Sequence, residues 1–384
     1  MITGTPGFVG ERLTQSRIAM GLTLSALAEL LSVSRQAVSQ YEKGVDSPRD
    51  EVFRKIYTLF KHEPHFFLRS VDPTLLPPVL FFRSMATATK GARAKAEVRK
   101  LWIRELVNYL TDYLNFPEVN FPNVEEYPAD PNCIAMEEVE VAAAGLRKAW
   151  NLGSGPIPNL VRIMEQNGAI VVRHPLDADT LDALSGWTYP EHVPYVLLNS
   201  DKDCSVRSRL DLAHELGHLI LHRKINSTVL RRRELFNLVE SQAFRFGASF
   251  LLPQEPFLED LYSVSLDALK VLKQKWKVSI AMMIERLKHL AVIDAEQHRR
   301  LRINYLARHW GKLEPFDDEI PIEQPLLIPS ALRMLVDQRI QSVEQISINS
   351  GFAEHWLKTL INAPTELFTP PPVSLKVLPF RKMG

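Results

Sequence analysis

Two histidines and a glutamate occur within five residues, in an order and spacing that can hold and use a metal ion. His214, Glu215 and His218 form the pattern HExxH inside the segment RLDLAHELGHLILH. Residues four apart lie on one face of an α-helix, so both imidazoles can reach one tetrahedral metal ion. Glu215 can then act as a general base towards water at that metal. We therefore predict a hydrolytic metal centre, with Gly217 placed where another element approaches the helix closely.

The spacing leaves the third protein ligand open. A glycine and a histidine at set positions after His218 would mark the metzincin class, but those positions hold Leu221 and Lys224. His222 continues the four-residue series, yet a helix turns about 40° further with each such step, so a supporting or packing role is preferred. An acidic residue on a later helix is the alternative. Glu240 can face the metal helix while its apolar neighbours are buried.

Other side chains near the metal helix have both a chemical and a structural interpretation. Arg207 and Arg209 could bind a substrate carboxylate or an oxyanion, but a solvated helix start is preferred. Tyr189 and Tyr195 could stabilise a tetrahedral intermediate, but strand packing is preferred. Cys204 has no cysteine nearby, and we interpret it as an inert thiol.

Residues 12–44 have the pattern of two short helices joined by a tight turn. Thr23 can cap the first helix and Ser34 the second, whose surface is polar. Such a helix-turn-helix can place its second helix in the major groove of DNA, and a small helical bundle that binds protein or ligand is the alternative. The expected base contacts come from Arg35, Gln36, Ser39 and Gln40, and the expected phosphate contacts come from Lys43 and Arg17.

The segment L-T-L-S-A-L-A-E-L-L-S-V-S-R-Q-A-V-S-Q-Y-E-K-G resembles the Xre/Cro/C1-type helix-turn-helix family of phage and bacterial repressors, over residues 9–62. The alanine of the first helix, the V-S-R turn and the terminal Y-E-K-G carry the resemblance. The family often has glutamine after the capping threonine, where this sequence has Leu24. The resemblance implies a DNA-binding regulator whose backbone contacts at that position are weaker or redistributed.

Residues of about 135–290 resemble the ImmA/IrrE metallopeptidase family. The resemblance rests on R-x-R-L-D-L-A-H-E-L-G-H-L-I-L-H and on E-S-Q-A-F-R-F-G-A-S-F-L-L-P. It implies that His214, His218 and Glu240 bind the metal and that Glu215 is the catalytic glutamate. The implied metal is Zn²⁺, with Mn²⁺ or Fe²⁺ as alternatives. The sequence departs from the family pattern at three positions outside this set, which are Asp211, Gln242 and Phe244.

Composition limits the class of protein. The 384 residues contain 46 Lys plus Arg and 45 Asp plus Glu, so a nucleic-acid surface must come from local charge placement. The basic stretch Lys90–Arg104 could flank DNA, but a solvated helix face is preferred. Two cysteines, no signal-peptide pattern and no apolar run of about 18 residues indicate a cytoplasmic protein without a membrane span.

These elements predict a mainly α-helical protein with a small β-sheet. An N-terminal five-helix HTH bundle at 9–65 is followed by a connector with a long helix at 66–134. An α+β zincin-like (HExxH) metallopeptidase domain at 135–295 comes next, with strands at 169–175 and 195–200. A helical C-terminal region of unknown role occupies 296–384.

The order of the two resemblances is that of regulators in which an Xre-type domain is fused to an ImmA/IrrE-like domain. We therefore expect a repressor-type regulator that binds double-stranded operator DNA, as a homodimer on paired half-sites. Its zinc-dependent endopeptidase domain would cut the protein itself or a partner regulator. The alternatives are a repressor or antitoxin whose metal domain is a non-catalytic sensor or scaffold, and a peptidase whose helical module recruits protein.

Overall fold

The computed structural model describes residues 4–72, 90–122, 124–175, 182–201, 204–362 and 368. These residues form seventeen α-helices and one three-stranded sheet. The fold class is the predicted one, mainly helical with a small sheet near the middle of the chain. The end of the predicted C-terminal region, at 363–367 and 369–384, lies outside the described residues.

Five helical segments form the N-terminal bundle, of which the last is a 3₁₀ helix. They are α1 (Gly10–Ala19), α2 (Leu24–Leu31), α3 (Arg35–Glu42), α4 (Asp50–Phe60) and the 3₁₀ helix Pro64–Leu68. The side chains of Thr23 and Ser34 cap α2 and α3, each accepting an N–H at 3.1 Å. Ser32 ends α2 in the left-handed conformation, with φ of 57°. The predicted caps therefore produce the tight turn between two helices.

Helix α5 (Lys90–Thr111) joins this bundle to the rest of the protein. The buried Trp102 ring packs edge-on against Phe66 of the bundle and against Trp356 near the C-terminus, at centroid distances of 5.7 and 4.8 Å. Arg12 of α1 donates to both carboxylate oxygens of Glu105, at 2.9 Å each. The predicted connector helix is thus a buried element of the junction.

The three strands are β1 (Ile170–His174), β2 (Ala183–Trp187) and β3 (Pro194–Asn199). Their order is β1-β3-β2, with β1 parallel and β2 antiparallel to the central β3. Because side chains alternate along a strand, the two faces of the sheet enter different cores. Val171, Val196 and Trp187 belong to the core around the metal helix. Ile170 and its neighbours on the other face belong to the core that contains α5 and the N-terminal bundle.

The remaining helices surround the sheet. They are α6 (Met136–Ala149), α7 (Leu160–Gln166), α8 (Ser205–Leu221), α9 (Ser227–Leu230), α10 (Arg233–Leu251), α11 (Gln254–Glu259), α12 (Leu266–Trp276), α13 (Ile280–His289), α14 (Ala295–Ala307), α15 (Leu327–Asp337), α16 (Val343–Ser350) and α17 (Glu354–Ile361). Helix α12 ends at Lys277, which has the left-handed conformation with φ of 53°, and α13 begins at Ile280. Strand β2 was not predicted.

The C-terminal region is bound to α7 by reciprocal helix capping. Glu323 accepts the N–H groups of Leu160 and Val161 at the start of α7, at 2.7 and 3.0 Å. Glu165, near the end of α7, accepts the N–H groups at the start of α15, at 3.0 and 3.1 Å. Each carboxylate satisfies amides that a helix start leaves without partners, so α7 and α15 fix one another.

A buried cation fastens the segment after α14. Lys273 of α12 is fully buried and bonds Glu314 and Asp317, at 2.9 and 2.5 Å. Glu314 also accepts the N–H groups of Ile280 and Ala281 at the start of α13. Two buried carboxylates therefore depend on one ammonium group for charge compensation.

We predict that Lys273→Met destabilises the protein by about 3–5 kcal/mol, because it leaves the Glu314 and Asp317 carboxylates buried without a cation. Lys275→Met is the matched control, since Lys275 lies on the same helix with a 53% exposed side chain paired to Asp260. Urea unfolding followed by circular dichroism measures both variants. Equal midpoints for Lys273→Met and the wild type would show that the network contributes nothing.

Candidate metal centre

Helices α8 and α10 cross closely because each has a glycine at the contact. A Cβ on Gly217 would lie 3.0 Å from the Ala243 carbonyl oxygen, and one on Gly247 would lie 3.1 Å from the His214 amide nitrogen. Real Cβ atoms rarely come so near to backbone, so either addition would push the two helices apart. The approach of a neighbouring element at Gly217 was predicted, and that element is α10.

This crossing brings three donor atoms together. The Nε2 atoms of His214 and His218 are 3.0 Å apart, and each lies 3.5 Å from a carboxylate oxygen of Glu240. Donors placed about 2.0–2.2 Å from a tetrahedral ion are separated by about 3.3–3.6 Å, so the two imidazole–carboxylate distances match a metal site and the imidazole–imidazole distance is a few tenths of an ångström shorter. Two imidazoles and one carboxylate are also ligand types that zinc accepts. The residues present therefore fit a metal ion.

The charge of Glu240 matches this arrangement. Burial by itself would raise its pKa, but the neighbouring imidazoles of His214 and His218 outweigh burial and lower the pKa to about 2. The carboxylate is therefore ionised at neutral pH and faces two nitrogen atoms. A negative charge at this position favours a cation between the three side chains.

A chain of hydrogen bonds fixes which nitrogen of His218 carries the proton. Gln242 donates its amide to the carbonyls of Pro131 and Ile134, both at 2.8 Å, so its Oε1 is left to accept from His222 Nε2 at 3.1 Å. Burial lowers the pKa of His222 well below its usual value, so this ring is neutral and its Nδ1 is an acceptor. The Nδ1 of His218, 2.9 Å away, then donates to it. His218 Nε2 consequently presents a lone pair to the cluster, as a metal ligand must.

These hydrogen bonds agree with the supporting or packing role that was preferred for His222 from the sequence. Its ring contacts His218 and Gln242 and is fully buried. Among the described residues, the three-member group that could hold a metal comprises His214, His218 and Glu240. Gln242, noted as a departure from the family pattern, is the residue that orients His222.

Glu215 lies beside the cluster, and strand β2 holds its carboxylate. Only 2% of Glu215 is exposed, and its Oε2 lies 2.5 Å from Ser185 Oγ. Trp187 of the same strand donates its indole N–H to the Leu219 carbonyl of α8, at 3.0 Å. Sequence reasoning missed Ser185. The only signal was the alternation of Ala183, Ser185 and Trp187, which Gly186 and the shortness of the strand obscure.

The other candidate side chains near α8 contact protein groups outside the metal cluster. Arg207 donates to carbonyls at 311 and 312, and the buried Arg209 pairs with Glu323. The preferred solvated helix start holds for Arg207, which is exposed, and is wrong for Arg209, which the C-terminal region covers. Tyr195 is 2% exposed on the sheet face away from α8, and Tyr189 is 67% exposed. Packing in the strand is therefore confirmed for Tyr195.

Cys204 immediately precedes α8. The thiol is half-buried, and burial raises its pKa, which makes it less reactive. It is a free cysteine, as is Cys133. These properties agree with the predicted inert role.

Helix α3 presents most of its predicted DNA contacts to the surface. Arg35, Gln36 and Lys43 are exposed, whereas Ser39 and Gln40 are partly buried. The predicted phosphate contact of Arg17 is wrong. Its guanidinium bonds both oxygens of Glu42, at 2.6 and 3.0 Å, because this ion pair joins α1 to the end of α3.

Two protein families match separate parts of the sequence. The family described as helix-turn-helix matches residues 13–61, which cover α1 to α4. The family described as IrrE N-terminal-like domain matches residues 164–288, which include the sheet, α8 and α10. No curated protein matches the chain.

Within the described ranges, no helix combines the length and the apolar character that a membrane span requires.

The helix-turn-helix match contains every predicted DNA contact, and the IrrE N-terminal-like match contains the whole metal cluster. The chain thus joins an Xre/Cro/C1-type helix-turn-helix domain to an ImmA/IrrE-type metallopeptidase-like domain.

Proposed function

We propose that this chain is a repressor-type transcriptional regulator whose metal centre hydrolyses a peptide bond, in the protein itself or in a partner regulator. The observation that carries the proposal is the triangle of His214, His218 and Glu240 beside the carboxylate of Glu215. A site that only stored a metal would have no use for a fourth residue whose carboxylate does not bind the metal. The helix-turn-helix match supports the DNA-binding half of the proposal.

The donor set favours zinc. His214 and His218 supply nitrogen and Glu240 supplies oxygen, which leaves a fourth tetrahedral position for water or substrate. When bound, zinc supplies Lewis acidity, which polarises a peptide carbonyl and makes water a better nucleophile. Manganese or iron can occupy the same donors where those metals are more available.

Glu215 is the proposed general base. Its carboxylate accepts a proton from the attacking water and delivers it to the leaving amine. Ser185 donates a hydrogen bond to this carboxylate and so restrains its orientation. Because α8 also holds His214 and His218, the base and the metal ligands move as one body.

The burial of the cluster supports a narrow substrate range. The side chains of His214 and His218 are 5% and 0% exposed, and that of Glu240 is 14% exposed. Only a thin, extended segment of polypeptide can approach such a centre. Cleavage of one exposed loop in a chosen partner fits this access better than general proteolysis.

The proposed DNA contacts are those of α3. Arg35 and Gln36 are exposed at the start of the helix, where a recognition helix meets base edges. The side chains of Ser39 and Gln40 lie one turn further along, and Lys43 follows at the end of the helix. A homodimer would bind two half-sites, and the distance between its two α3 helices would set the spacing of these half-sites in the operator.

The proposed ligands predict the metal content of three variants. Wild-type protein should contain about one equivalent of zinc, and His214→Ala and Glu240→Gln should lose most of it. Glu234→Gln is the matched control, because Glu234 is an exposed acid on the same helix as Glu240. Plasma emission spectroscopy after dialysis measures the metal. A full equivalent in His214→Ala would refute the assignment.

Glu215→Gln separates catalysis from metal storage. The variant keeps the shape of the side chain but removes the base, so metal content and DNA affinity should stay unchanged. Cleavage should fall by about 10²–10⁴-fold. Fragments of the chain and of its partner regulator can be followed by mass spectrometry in cells under DNA damage. Wild-type fragment levels and full derepression in Glu215→Gln cells would favour the sensor or scaffold alternative.

Two substitutions on α3 should affect DNA binding differently. Gln36→Ala should reduce the preference for operator over random DNA by about 1–3 kcal/mol, because a bidentate base contact is lost. Lys43→Gln should weaken both equally and reduce the slope of log affinity against log salt by about 1. Full-length protein and an operator found by genome-wide occupancy mapping provide the test. Unchanged specificity in Gln36→Ala would remove this residue from the base contacts.

A further inference from the structure

Two cationic side chains lie one turn apart inside the protein, on helix α5. Lys100 is 6% exposed and Arg104 is 2% exposed. The sequence favoured a solvated helix face for this basic stretch, with a DNA flank as the alternative. Neither description applies to these two residues, because the protein surrounds them.

The donors of this pair are largely unused. Arg104 Nη2 donates to the Tyr189 carbonyl and to Glu191, at 2.6 and 2.5 Å. Arg104 Nε, Arg104 Nη1 and Lys100 Nζ are buried and have no hydrogen-bond partner among the described residues. Buried polar groups of folded proteins nearly always find partners, so three such atoms side by side indicate a missing acceptor.

The charges of Lys100 and Arg104 also indicate that an anion is missing. Glu191 compensates Arg104 from the surface, with a side chain 34% exposed. Burial and the neighbouring Arg104 lower the pKa of Lys100 to about 7, and the attraction of Glu97 opposes this only in part. A buried ammonium next to a buried guanidinium is costly unless an anion lies between them.

We propose that Lys100 and Arg104 form a binding site for a phosphate group, either free phosphate or the monoester of a small molecule. Nε and Nη1 do not share an edge of the guanidinium group, so one anion can accept from only one of them. A tetrahedral oxyanion has several acceptor oxygens in different directions and can accept from that nitrogen and from the Lys100 ammonium together. The depth of the site excludes the phosphates of a DNA duplex.

A phosphate bound at this site would contact elements of both the DNA-binding side and the metal side of the protein. The next residue of α5, Glu105, holds Arg12 of the N-terminal bundle. The turn that contains Tyr189 and Glu191 follows directly after β2, the strand that holds Glu215 through Ser185. A phosphate between α5 and this turn would bind the helix of the DNA-binding side to the strand of the metal side. The proposal does not depend on peptidase activity.

Calorimetric titration of inorganic phosphate into full-length protein tests the site. The buffer contains only chloride as anion, and ionic strength is held constant. We expect saturable binding of about one equivalent, together with a higher melting temperature in phosphate. Glycerol phosphate in a second titration separates the sources: tighter binding than phosphate identifies a monoester site, and weaker binding identifies a site for the free ion.

Lys100→Met is the decisive variant. It should weaken phosphate binding at least tenfold, yet melt at or above the wild-type temperature without phosphate, because an uncompensated buried ammonium is gone. Lys55→Met removes a partly exposed lysine of α4 and should bind phosphate as the wild type does. The proposal is overturned by non-saturable heats in the wild type, by equal affinity in Lys100→Met, or by a lower melting temperature of that variant in chloride.

Discussion

The close crossing of α8 and α10 at Gly217 and Gly247 is the constraint on which the metal centre depends. Both helices carry ligands, and a 3.5 Å separation between carboxylate and imidazole leaves no room for the extra width of two Cβ atoms. The geometry is set by packing and needs no strained backbone in either helix. Glu240 is a ligand candidate because of where its helix passes and because His214 and His218 keep it ionised.

The sheet connects the metal centre to the rest of the molecule through the side chains on its two faces. One face supports α8 through Ser185 and Trp187 and belongs to the core around the metal centre. The other face shares a core with α5, α17 and the N-terminal bundle. Helix α17 even bonds the sheet directly, since His174 Nδ1 lies 2.7 Å from the Thr359 carbonyl oxygen. The DNA-binding side and the metal side are therefore joined by three strands, whose displacement would affect both cores.

Sequence reasoning was most successful where local spacing determines the structure. The HExxH spacing placed His214 and His218 on one helix face, and the caps Thr23 and Ser34 defined the helix-turn-helix. The family resemblance, rather than spacing, singled out Glu240 as the third ligand.

Long-range contacts could not be predicted from local pattern. Ser185 reaches Glu215 from a five-residue strand with a glycine inside it, and Arg17 is engaged by Glu42, which lies 25 residues away. Arg209 was expected at a solvated helix start, but it is buried against Glu323, which lies more than 100 residues later in the chain. Lys100 and Arg104 belong to a basic stretch that was expected at the surface. They are buried because the N-terminal bundle, the sheet and the C-terminal helices all pack around α5.

X-ray absorption spectroscopy of zinc-loaded, full-length protein tests the central claim most directly, because it reports the ligand atoms themselves. The account predicts a first shell of nitrogen and oxygen at about 2.0–2.2 Å, with outer-shell scattering from two imidazole rings. A sulfur shell at about 2.3 Å would place Cys133 or Cys204 at the metal and contradict the account. A spectrum without imidazole scattering would contradict it equally, since His214 and His218 could then not be the ligands.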